Sequence, residues 1–386
     1  MQITKYPDRS GQYIKQLQGY KAFIPEPLPP KNPELSIDDE LQDYLSGADI
    51  SLGRLDGSIQ MLPNPDLFIE MYVKKEAVIS SQIEGTQSSL SQLLKKESEV
   101  NDPDTPSDVN EVSNYVKAMH RGLELLNDLP VSVRLVKEIH KELLRDVRGQ
   151  EKNPGELRKS QNWIGSEGRD IRHATFVPPP EHEMVKALSD WEKFLHQNDH
   201  IPVLVKIGMA HAQFETIHPF LDGNGRVGRL LITLLLCEWD KLQEPALYLS
   251  HFFKQHRQEY YELLQNVRDL GDWESWIKFF VRGVSEVSGQ ATDTSREIVS
   301  LREKHRGLIV EEFGNVAGNG LKVLERLFLK PYITVKQIES LTGVTFSAAN
   351  NLMGKFENVG VLTEITGQKR NRQYEYSDYL NLFSAI

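Results

Sequence analysis

Apolar residues are most concentrated in one short stretch of the chain. Residues 230–237 are apolar apart from Thr233 and have no polar face. A helix that is apolar on all sides is usually buried inside a domain. The pattern therefore predicts a central buried helix here, directly after a glycine-rich stretch.

Elsewhere, apolar residues recur mainly with the three-to-four-residue spacing of amphipathic helices. This spacing extends from about residue 37 to residue 94, and Gly85 interrupts its last part, residues 76–94. Further helices are predicted at residues 109–126, 131–147, 183–196, 203–217, 256–268 and 273–288. We therefore expect most of the chain to be helical.

Three segments break this pattern. The proline-rich residues 24–30 favour an extended arm, either lying on the body or forming a linker. Residues 101–107 have the composition of a loop and mark a domain boundary. Residues 153–180 contain several glycines, three consecutive prolines and two short apolar runs, which favour a β-hairpin or flap.

The last quarter of the chain has a different order of elements. Residues 289–317 are polar and are expected to form a connecting helix or linker. Three short helices are then predicted, at residues 321–329, 334–341 and 345–357. Residues 360–376 have the pattern strand, turn, strand.

Composition limits the classes of function. The chain has 386 residues, enough for two or three domains, and a net charge of −10. That charge argues against a general electrostatic grip on nucleic acid, although a local basic patch stays open. Cys237 is the single cysteine, so no intrachain disulfide forms. With no secretory signal and no apolar run long enough to span a bilayer, we expect a soluble cytoplasmic protein.

Residues 218–229 carry the most distinctive chemistry. They read HPFLDGNGRVGR and combine a histidine, a carboxylate, three glycines, an amide and two arginines. The segment leads into the predicted buried helix, whose first turn offers free backbone N–H groups and the positive end of the helix dipole. A glycine-rich loop in this position is expected to bind an anion.

The residue types suit a polyphosphate. Gly223, Gly225 and Gly228 let the backbone approach a ligand closely. Arg226 and Arg229 are three residues apart, so they are neighbours on a helix, and guanidinium groups bind phosphate oxygens well.

Two neighbouring side chains add reactive groups. Asp222 offers a hard oxygen ligand for a magnesium ion shared with phosphates. His218 has a side chain whose ordinary pKa is near neutral, which suits a general base. A purely structural loop would not need this combination.

This segment resembles the signature HPFxxGNGRxxR of Fic-domain proteins and matches it without a gap. The resemblance implies a helical fold that binds ATP and transfers AMP to a Tyr, Ser or Thr hydroxyl of a target protein, releasing pyrophosphate. It implies that His218 is the base and that Asp222 holds Mg²⁺. The implied phosphate-binding residues are Gly223, Asn224, Gly225, Arg226, Gly228 and Arg229.

Two other segments resemble Fic proteins. Residues 155–165 and 177–180 are similar to the flap that pins a target by strand pairing, which implies target docking at about 162–178. Tyr260 and Tyr261 resemble the tyrosine pair that flanks adenosine, but a role as core aromatics is an equal alternative. The flap residues implied to lie near the nucleotide are Asn162, Trp163, Ile164 and Gly165.

Residues 80–85 resemble the family's inhibitory motif, in which a Ser or Thr precedes a Glu by four residues and a Gly or Asn follows. In a helix of about residues 76–94, Ser80 and Glu84 would share one face. The resemblance implies that Glu84 pairs with Arg229 and prevents productive seating of the γ-phosphate. Self-modification and removal of AMP, which the same glutamate supports in some relatives, stay open.

The C-terminal pattern resembles a winged helix-turn-helix, a common companion of Fic domains. Lys369, Arg370 and Arg372 would lie at the tip of the wing, where they suit a phosphate backbone. The third helix has Lys355 as its only basic residue, so docking to a protein or homodimer formation is favoured over DNA binding.

The sequence thus predicts a mainly α protein, with a Fic-type helical bundle, a β-hairpin flap and a C-terminal winged helix-turn-helix domain. The expected divisions are an N-terminal helical region at 1–105, a catalytic domain at 106–288, a connecting segment at 289–317 and the winged-helix domain at 318–386. The expected function is an autoinhibited protein adenylyltransferase. The alternative is a winged-helix transcriptional regulator that senses a nucleotide.

Overall fold

A computed structural model of the protein describes residues 6–60, 62, 65–100, 105–165 and 170–384. Part of the predicted loop at 101–107 and the tip of the predicted flap lie outside these residues. The elements before the glycine-rich segment are α1 Pro7–Ser10, β1 Gly11–Lys15, β2 Lys21–Pro25, α2 Asp39–Gln60, α3 Pro65–Ile83, α4 Leu90–Glu97, α5 Val109–Leu126, α6 Val133–Leu143, α7 Glu181–His196 and α8 Val203–Ile217. Those after it are α9 Asn224–Glu238, α10 Ser250–Gln255, α11 Arg257–Leu270, α12 Trp273–Glu312, α13 Ala317–Leu329, β3 Tyr332–Thr334, α14 Val335–Thr342, α15 Phe346–Asn358, β4 Thr363–Glu364, β5 Gln373–Glu375 and α16 Ser377–Ser384.

The predicted central helix is α9, which packs against α8. Almost every residue of α8, and most of α9, is buried on all sides. Helices α5, α7 and α12 surround the pair. The absence of a polar face is therefore explained, because neighbours cover both helices completely.

One helix is longer than the sequence predicted. The predicted helix at 273–288 and connecting segment at 289–317 form the single helix α12, which continues to Glu312. Its second half is polar in composition but buries small residues such as Ala291 and Ser295 against α2. Because small polar side chains pack closely with little apolar signal, the helical continuation was hard to distinguish from a linker.

The helix that precedes Glu84 is the main correction to the predicted elements. We predicted one helix at about 76–94, but α3 ends at Ile83 and α4 starts at Leu90. Gly85 lies between them with φ of +98°, a conformation that ends a helix easily.

The C-terminal elements pack directly against α3. Phe68 of α3 lies 6.2 Å from Phe328 of α13, and Tyr72 lies 5.9 Å from Phe383 of α16, measured between ring centres. The ammonium group of Lys330 also donates to the carbonyl of Glu97 in α4. Helix α3 is therefore held between the C-terminal elements and the glycine-rich segment.

The C-terminal elements include a three-stranded antiparallel sheet of order β3-β5-β4, with α14 and α15 inserted after β3. Strands β4 and β5 fall within the predicted strand-turn-strand. Strand β3 and helix α16 were not predicted. Each is short and lacks a clear periodic pattern.

The N-terminal region forms a hairpin that the sequence did not predict. Strands β1 and β2 pair antiparallel, and the amide of Phe23 donates to the carbonyl of Val177 at 2.9 Å. The side-chain amide of Gln213 donates to the carbonyl of Glu26 at 2.8 Å. The proline-rich arm therefore lies on the body, which decides between the two alternatives.

No helix within the described ranges combines the length and the apolar character needed to cross a membrane.

Gly283 provides a test of the packing between α12 and α10. A Cβ at Gly283 would lie 2.5 Å from the Phe252 ring, whereas one at Gly289 of the same helix would have nothing within 4 Å. Gly283→Ala should lower stability by about 1–3 kcal/mol through overpacking. Gly289→Ala should raise it by about 0.5–1 kcal/mol, because alanine favours the helix. Thermal melting of both variants tests this, and shifts in the same direction would contradict the packing.

Candidate active site

The glycine-rich segment is a tight loop between α8 and α9. Helix α8 ends at Ile217 and is capped by His218, which has φ of 50°, and α9 follows Gly223, which has φ of 77°. The side chain of Asn224 fastens the loop, because its Oδ1 accepts from the Phe220 amide and its Nδ2 donates to the Phe220 carbonyl, both at 2.8 Å. The Asn224 side chain thus shapes the loop, and the first turn of α9 faces outwards with its positive dipole end.

His218 lies at the entrance to this loop with a defined tautomer. Its Nδ1 is 3.3 Å from the carbonyl oxygen of Glu215, and a carbonyl can only accept a hydrogen bond. The proton is therefore on Nδ1, and Nε2 carries the free lone pair. Burial, together with the nearby Arg158 guanidinium, lowers the pKa of His218 to about 4. The ring is neutral at pH 7, as a general base requires.

Arg158 supports this position and was missed as a single residue in the sequence. Its Nε donates to the His218 carbonyl at 2.9 Å, and a second guanidinium nitrogen donates to the carbonyl of Pro179. The side chain is buried, so it joins the loop to the start of α7 from inside the protein.

Asp222 lies on the rim of the loop and is partly exposed. Its Oδ1 accepts from the Gly223 amide at 2.6 Å and lies 3.6 Å from a guanidinium nitrogen of Arg226. His140 of α6 holds the backbone here, with Nε2 3.1 Å from the Asp222 carbonyl and Nδ1 accepting from the Gly155 amide at 2.8 Å. No local sequence pattern indicates this role for His140, because its partners are distant in the chain.

Arg226 is buried in the first turn of α9. Its guanidinium donates to Oε2 of Glu111 at 3.2 Å, and Arg148 donates to the same oxygen at 3.3 Å. Glu111 of α5 was not predicted as a site residue. It fixes the direction of the Arg226 guanidinium.

Arg229 is held by the turn at the end of α3. Its Nε donates to the Ser80 hydroxyl at 2.9 Å, and one terminal nitrogen donates to the Ser80 carbonyl at 2.9 Å and to Oε1 of Glu84 at 2.6 Å. Burial acts to raise the pKa of Glu84, but the charge of Arg229 holds it below its ordinary value. The carboxylate and the guanidinium are therefore both charged and paired.

Gly225 allows this pairing. A Cβ at Gly225 would lie only 2.3 Å from Oε1 of Glu84 and 3.0 Å from a guanidinium nitrogen of Arg229. Only a residue without a side chain leaves space for the carboxylate at the first turn of α9. Glu84 thus lies where an anion would meet the helix N-terminus.

His218, Gly225, Arg229 and Glu84 line one cleft of about 780 Å³, whereas Asp222, Gly223, Gly228 and Ser80 are not among its lining residues. Its polar floor contains Glu84, Glu215, His218 and Arg229, and the predicted flap provides one wall. The cleft brings together most of the predicted site residues, although the side chains of Asn224 and Arg226 point into the protein and bond other groups.

Comparisons with known proteins match this geometry. The model described as Fic/DOC family N-terminal matches residues 42–124, and the model described as Fic/DOC family matches residues 130–236. The chain therefore carries a Fic/DOC domain. The two matches cover the helix that carries Ser80, the loop and most of α9.

Curated relatives of this Fic/DOC chain carry the name protein adenylyltransferase Fic. The one from Aedes aegypti is 32% identical over 181 residues, which are 46% of this chain and 32% of the relative. The one from Culex quinquefasciatus is 30% identical over 233 residues, 57% of this chain and 42% of the relative. The chain therefore spans about a third to two fifths of their length.

A solved Fic family protein from Desulfovibrio desulfuricans G20 has a similar fold. The TM-score is 0.57 at 18% identity, and the match covers 89% of this chain and 97% of the other. At this identity the likeness shows the fold alone.

The two tyrosines predicted to flank the nucleotide of this Fic/DOC chain lie in different surroundings. Tyr260 is buried, and its hydroxyl lies 2.9 Å from Nε2 of His211 within an aromatic cluster. Tyr261 is 41% exposed at the cleft, and Arg257 lies 5.2 Å from the centre of its ring. Both tyrosines line the cleft, Tyr261 with an exposed ring and Tyr260 from within the aromatic cluster. Their contact with a nucleotide stays a prediction.

The flap carries one antiparallel bridge, between Ile164 and Phe176, in place of a regular hairpin in the described residues. Trp163 and Ile164 are 43% and 38% exposed beside the cleft. Asn162 points the other way, because its Nδ2 donates to the Phe220 carbonyl at 2.8 Å. Asn162 therefore connects the flap to the Fic loop.

Glu215 is a cleft residue that the sequence analysis missed. It is buried, and its Oε1 has no hydrogen-bond partner among the described residues. Burial raises its pKa to about 7, while Arg229 opposes the rise. A Cβ at Gly228 would lie 2.3 Å from Oε1 of Glu215, so the second glycine of the helix also makes space for a carboxylate.

Stability should decrease at acidic pH because the buried imidazoles of His140, His211 and His218 stay neutral in the folded protein. Burial lowers their pKa values to about 4, 3 and 4. The unfolded chain binds these protons near pH 6.5, so it gains protons first and stability falls from about pH 6.5 towards pH 4. The raised pKa values of Glu215, Glu76 and His120 act in the opposite direction, while the lowered pKa of His251 adds to the loss.

Chemical denaturation at several pH values and NMR titration of the imidazole rings measure this effect. The rings should show the neutral state down to about pH 5. Three rings that titrate at their ordinary pKa, with stability flat between pH 7 and pH 5, would contradict the burial described.

Proposed function

We propose that this protein is an adenylyltransferase that moves AMP from ATP to a hydroxyl side chain of a target protein. The observation that carries the proposal is a neutral His218 with a free Nε2 at the edge of a helix N-terminus that also has two arginines. The names of the curated relatives support the same activity. A loop of this kind suits phosphoryl chemistry, which depends on positioning and charge stabilisation.

The reaction balances with the groups present. The hydroxyl oxygen of the target attacks the α-phosphorus of ATP and forms a new P–O bond. The bond from that phosphorus to the bridging oxygen breaks, and pyrophosphate leaves. Nε2 of His218 takes the hydroxyl proton, because its lone pair is free and its Nδ1 is already held by the Glu215 carbonyl.

The phosphates would meet the first turn of α9. Backbone N–H groups at Asn224 and Gly225 and the helix dipole favour negative charge there. Arg229 would bind the γ-phosphate once Glu84 releases it. Arg226 would contribute its positive charge from its fixed position beside Glu111.

Magnesium fits the carboxylate at the loop rim. In proteins Mg²⁺ is commonly held by one or two carboxylates with substrate phosphates and water. Asp222 provides one partly exposed carboxylate beside the phosphate position, and no group of three or more acidic, histidine or cysteine ligands forms in the described part of the chain. A bound Mg²⁺ would neutralise phosphate charge, while Asp222 supplies its protein ligand.

The target would dock along the flap. The backbone of Ile164 is paired with that of Phe176 in an antiparallel bridge, and the exposed side chains of Trp163 and Ile164 line the cleft. An extended peptide can add to such an edge by backbone hydrogen bonds. This would bring a hydroxyl side chain to the side of the cleft where His218 lies. Tyr261 would provide the face on which the adenine stacks.

Autoinhibition follows from the ion pair at the end of α3. Glu84 occupies Arg229, and its carboxylate lies against Gly225. A γ-phosphate in the same place would meet a like charge and an arginine already engaged. The protein would therefore hold ATP in an unproductive position until Glu84 moves.

We also propose that residues 317–384 form a winged-helix unit that docks a protein or a second copy of this chain. The support is the order of α13, β3, α14, α15 and the β4–β5 pair. The DNA-binding regulator is not favoured, because Arg372 donates to Asn350 and lies 3.8 Å from Glu357. This arginine is thus turned back onto the unit.

The role of His218 has a direct test. His218→Ala should reduce AMP transfer by roughly 10²–10⁴-fold, because the proton acceptor is lost. His182→Ala is the matched control, since His182 is highly exposed on α7 and away from the cleft. Mass spectrometry of the protein and of a cell lysate after incubation with ATP and Mg²⁺ measures added AMP. Calorimetry should show that His218→Ala still binds ATP.

Transfer by His218→Ala at the level of the control would remove His218 from the mechanism. The proposed activity would be contradicted if both the wild-type protein and a variant with Glu84 replaced bound ATP but added no AMP to themselves or to any lysate protein.

A further inference from the structure

Lys75 is a buried cation without a partner, on a face of α3 different from that of Ser80. The residue is 3% exposed, and its ammonium nitrogen has no hydrogen bond or ion pair among the described residues. Its nearest favourable contact is the ring of Tyr248, whose centre lies 4.5 Å away. A cation–π contact of this kind compensates only part of the cost of burying an ammonium group.

Two further nitrogen groups face the same space from α10. His251 is 8% exposed, and its Nε2 also lacks a partner among the described residues. Burial, together with the charges of Lys75 and Lys254, lowers the pKa of His251 to about 4. Burial lowers the pKa of Lys75 to about 8. None of the salt bridges in the described structure brings a carboxylate to these three side chains.

These groups line an open cleft of about 330 Å³ between α3, α10 and α16. Ile79 and Leu90 provide apolar walls, and Phe383 of α16 closes one side. Lys254 donates to Oε1 of Gln82 at 2.7 Å at the rim. The cleft therefore has a positively charged end and an apolar side, and it is separate from the cleft that contains His218.

We propose that this cleft binds a small organic anion, with its acidic group at Lys75, Lys254 and His251 and its apolar body against Ile79 and Phe383. An acidic oxygen would give the ammonium of Lys75 and Nε2 of His251 the partners they lack. The apolar walls select a ligand larger than a simple inorganic ion. The cleft volume limits the ligand to a small molecule or one side chain of a partner.

The position of the cleft gives the ligand a structural effect. Gln82 lies two residues before Glu84, and the anion would connect α3 to α10 at this level. A ligand that binds only the folded state raises the free energy of unfolding by RT ln(1 + L/Kd), where L is the free ligand concentration. Binding should therefore be visible as a rise in the melting temperature, without any measurement of catalysis.

Benzoate is a suitable probe, because it combines a carboxylate with an apolar ring. Calorimetry and thermal melting of the full chain should show binding, with a rise of about 2 °C or more at ten times the Kd. Sodium chloride at equal ionic strength controls for screening. Inorganic phosphate tests the acidic group without the apolar body. Phosphate can also bind at the Fic loop, so only the shift in melting temperature that is lost in Lys75→Met is attributed to this cleft.

Lys75→Met is the decisive variant, because it keeps the chain length and apolar stem while removing the charge. It should weaken benzoate binding by roughly tenfold or more, and it should melt no lower than the parent, since a buried unpaired cation is removed. Lys254→Gln, at an exposed position, should also weaken binding. Lys186→Met is the matched control, because Lys186 is exposed on α7, and it should leave binding unchanged.

Benzoate binding that is equal in the parent and in Lys75→Met, or no benzoate effect beyond that of chloride, would overturn the site. A Lys75-dependent response to phosphate with none to benzoate would overturn the assignment of an apolar body.

Discussion

The buried contact between Arg229 and the end of α3 is the constraint on which the rest of the structure depends. Arg229 lies on the central helix and is buried, so its charge must be balanced locally. Ser80 supplies a hydroxyl and a carbonyl, and Glu84 supplies the opposite charge. The same guanidinium is the natural partner for a phosphate. Under the proposed function, the folded protein and the nucleotide complex would therefore compete for one group.

This competition gives α3 its importance. One side of α3 meets the Fic loop through Ser80, while Phe68 and Tyr72 pack against rings of the C-terminal elements. Helix α3 ends at Ile83, and the short turn that follows, from Ile83 to Gly85, places Glu84 beside α9. Any movement of α3 relative to α9 would change the distance between Glu84 and Arg229. The C-terminal elements are therefore well placed to influence the site, although none of their described residues lines its cleft.

Local sequence patterns predicted much of the fold. The bounds of α5 and α8 coincide with the predicted helices at 109–126 and 203–217. Their apolar residues recur with a strong helical period, and residue types that are typical of helix ends flank them. The site motif was recognisable because its glycines, arginines and histidine are adjacent in sequence. The pairing of Glu84 with Arg229 was predicted only through resemblance, since no local rule connects residues 145 positions apart.

The features that were missed depend on contacts between distant segments. Glu111, His140 and Glu215 look like ordinary polar residues of amphipathic or buried helices until the folded chain brings their partners close. Strands β1 and β2 and the long α12 are stabilised by packing against the bundle rather than by their own composition. Tyr260 and Tyr261 are adjacent in sequence and both line the cleft, yet helix geometry buries the Tyr260 ring and leaves the Tyr261 ring exposed.

AMP incorporation from labelled ATP by Glu84→Gly, compared with wild type, tests the central claim most directly. Freeing Arg229 should raise incorporation on the order of 10²-fold, because a constraint of a few kcal/mol is removed from the productive complex. Glu99→Gly, which removes an exposed carboxylate, should match wild type. Arg229→Ala should not be activated, because it loses the phosphate contact together with the inhibitory one. Incorporation by Glu84→Gly no higher than by wild type would contradict the account and leave Glu84 as a structural partner of Arg229.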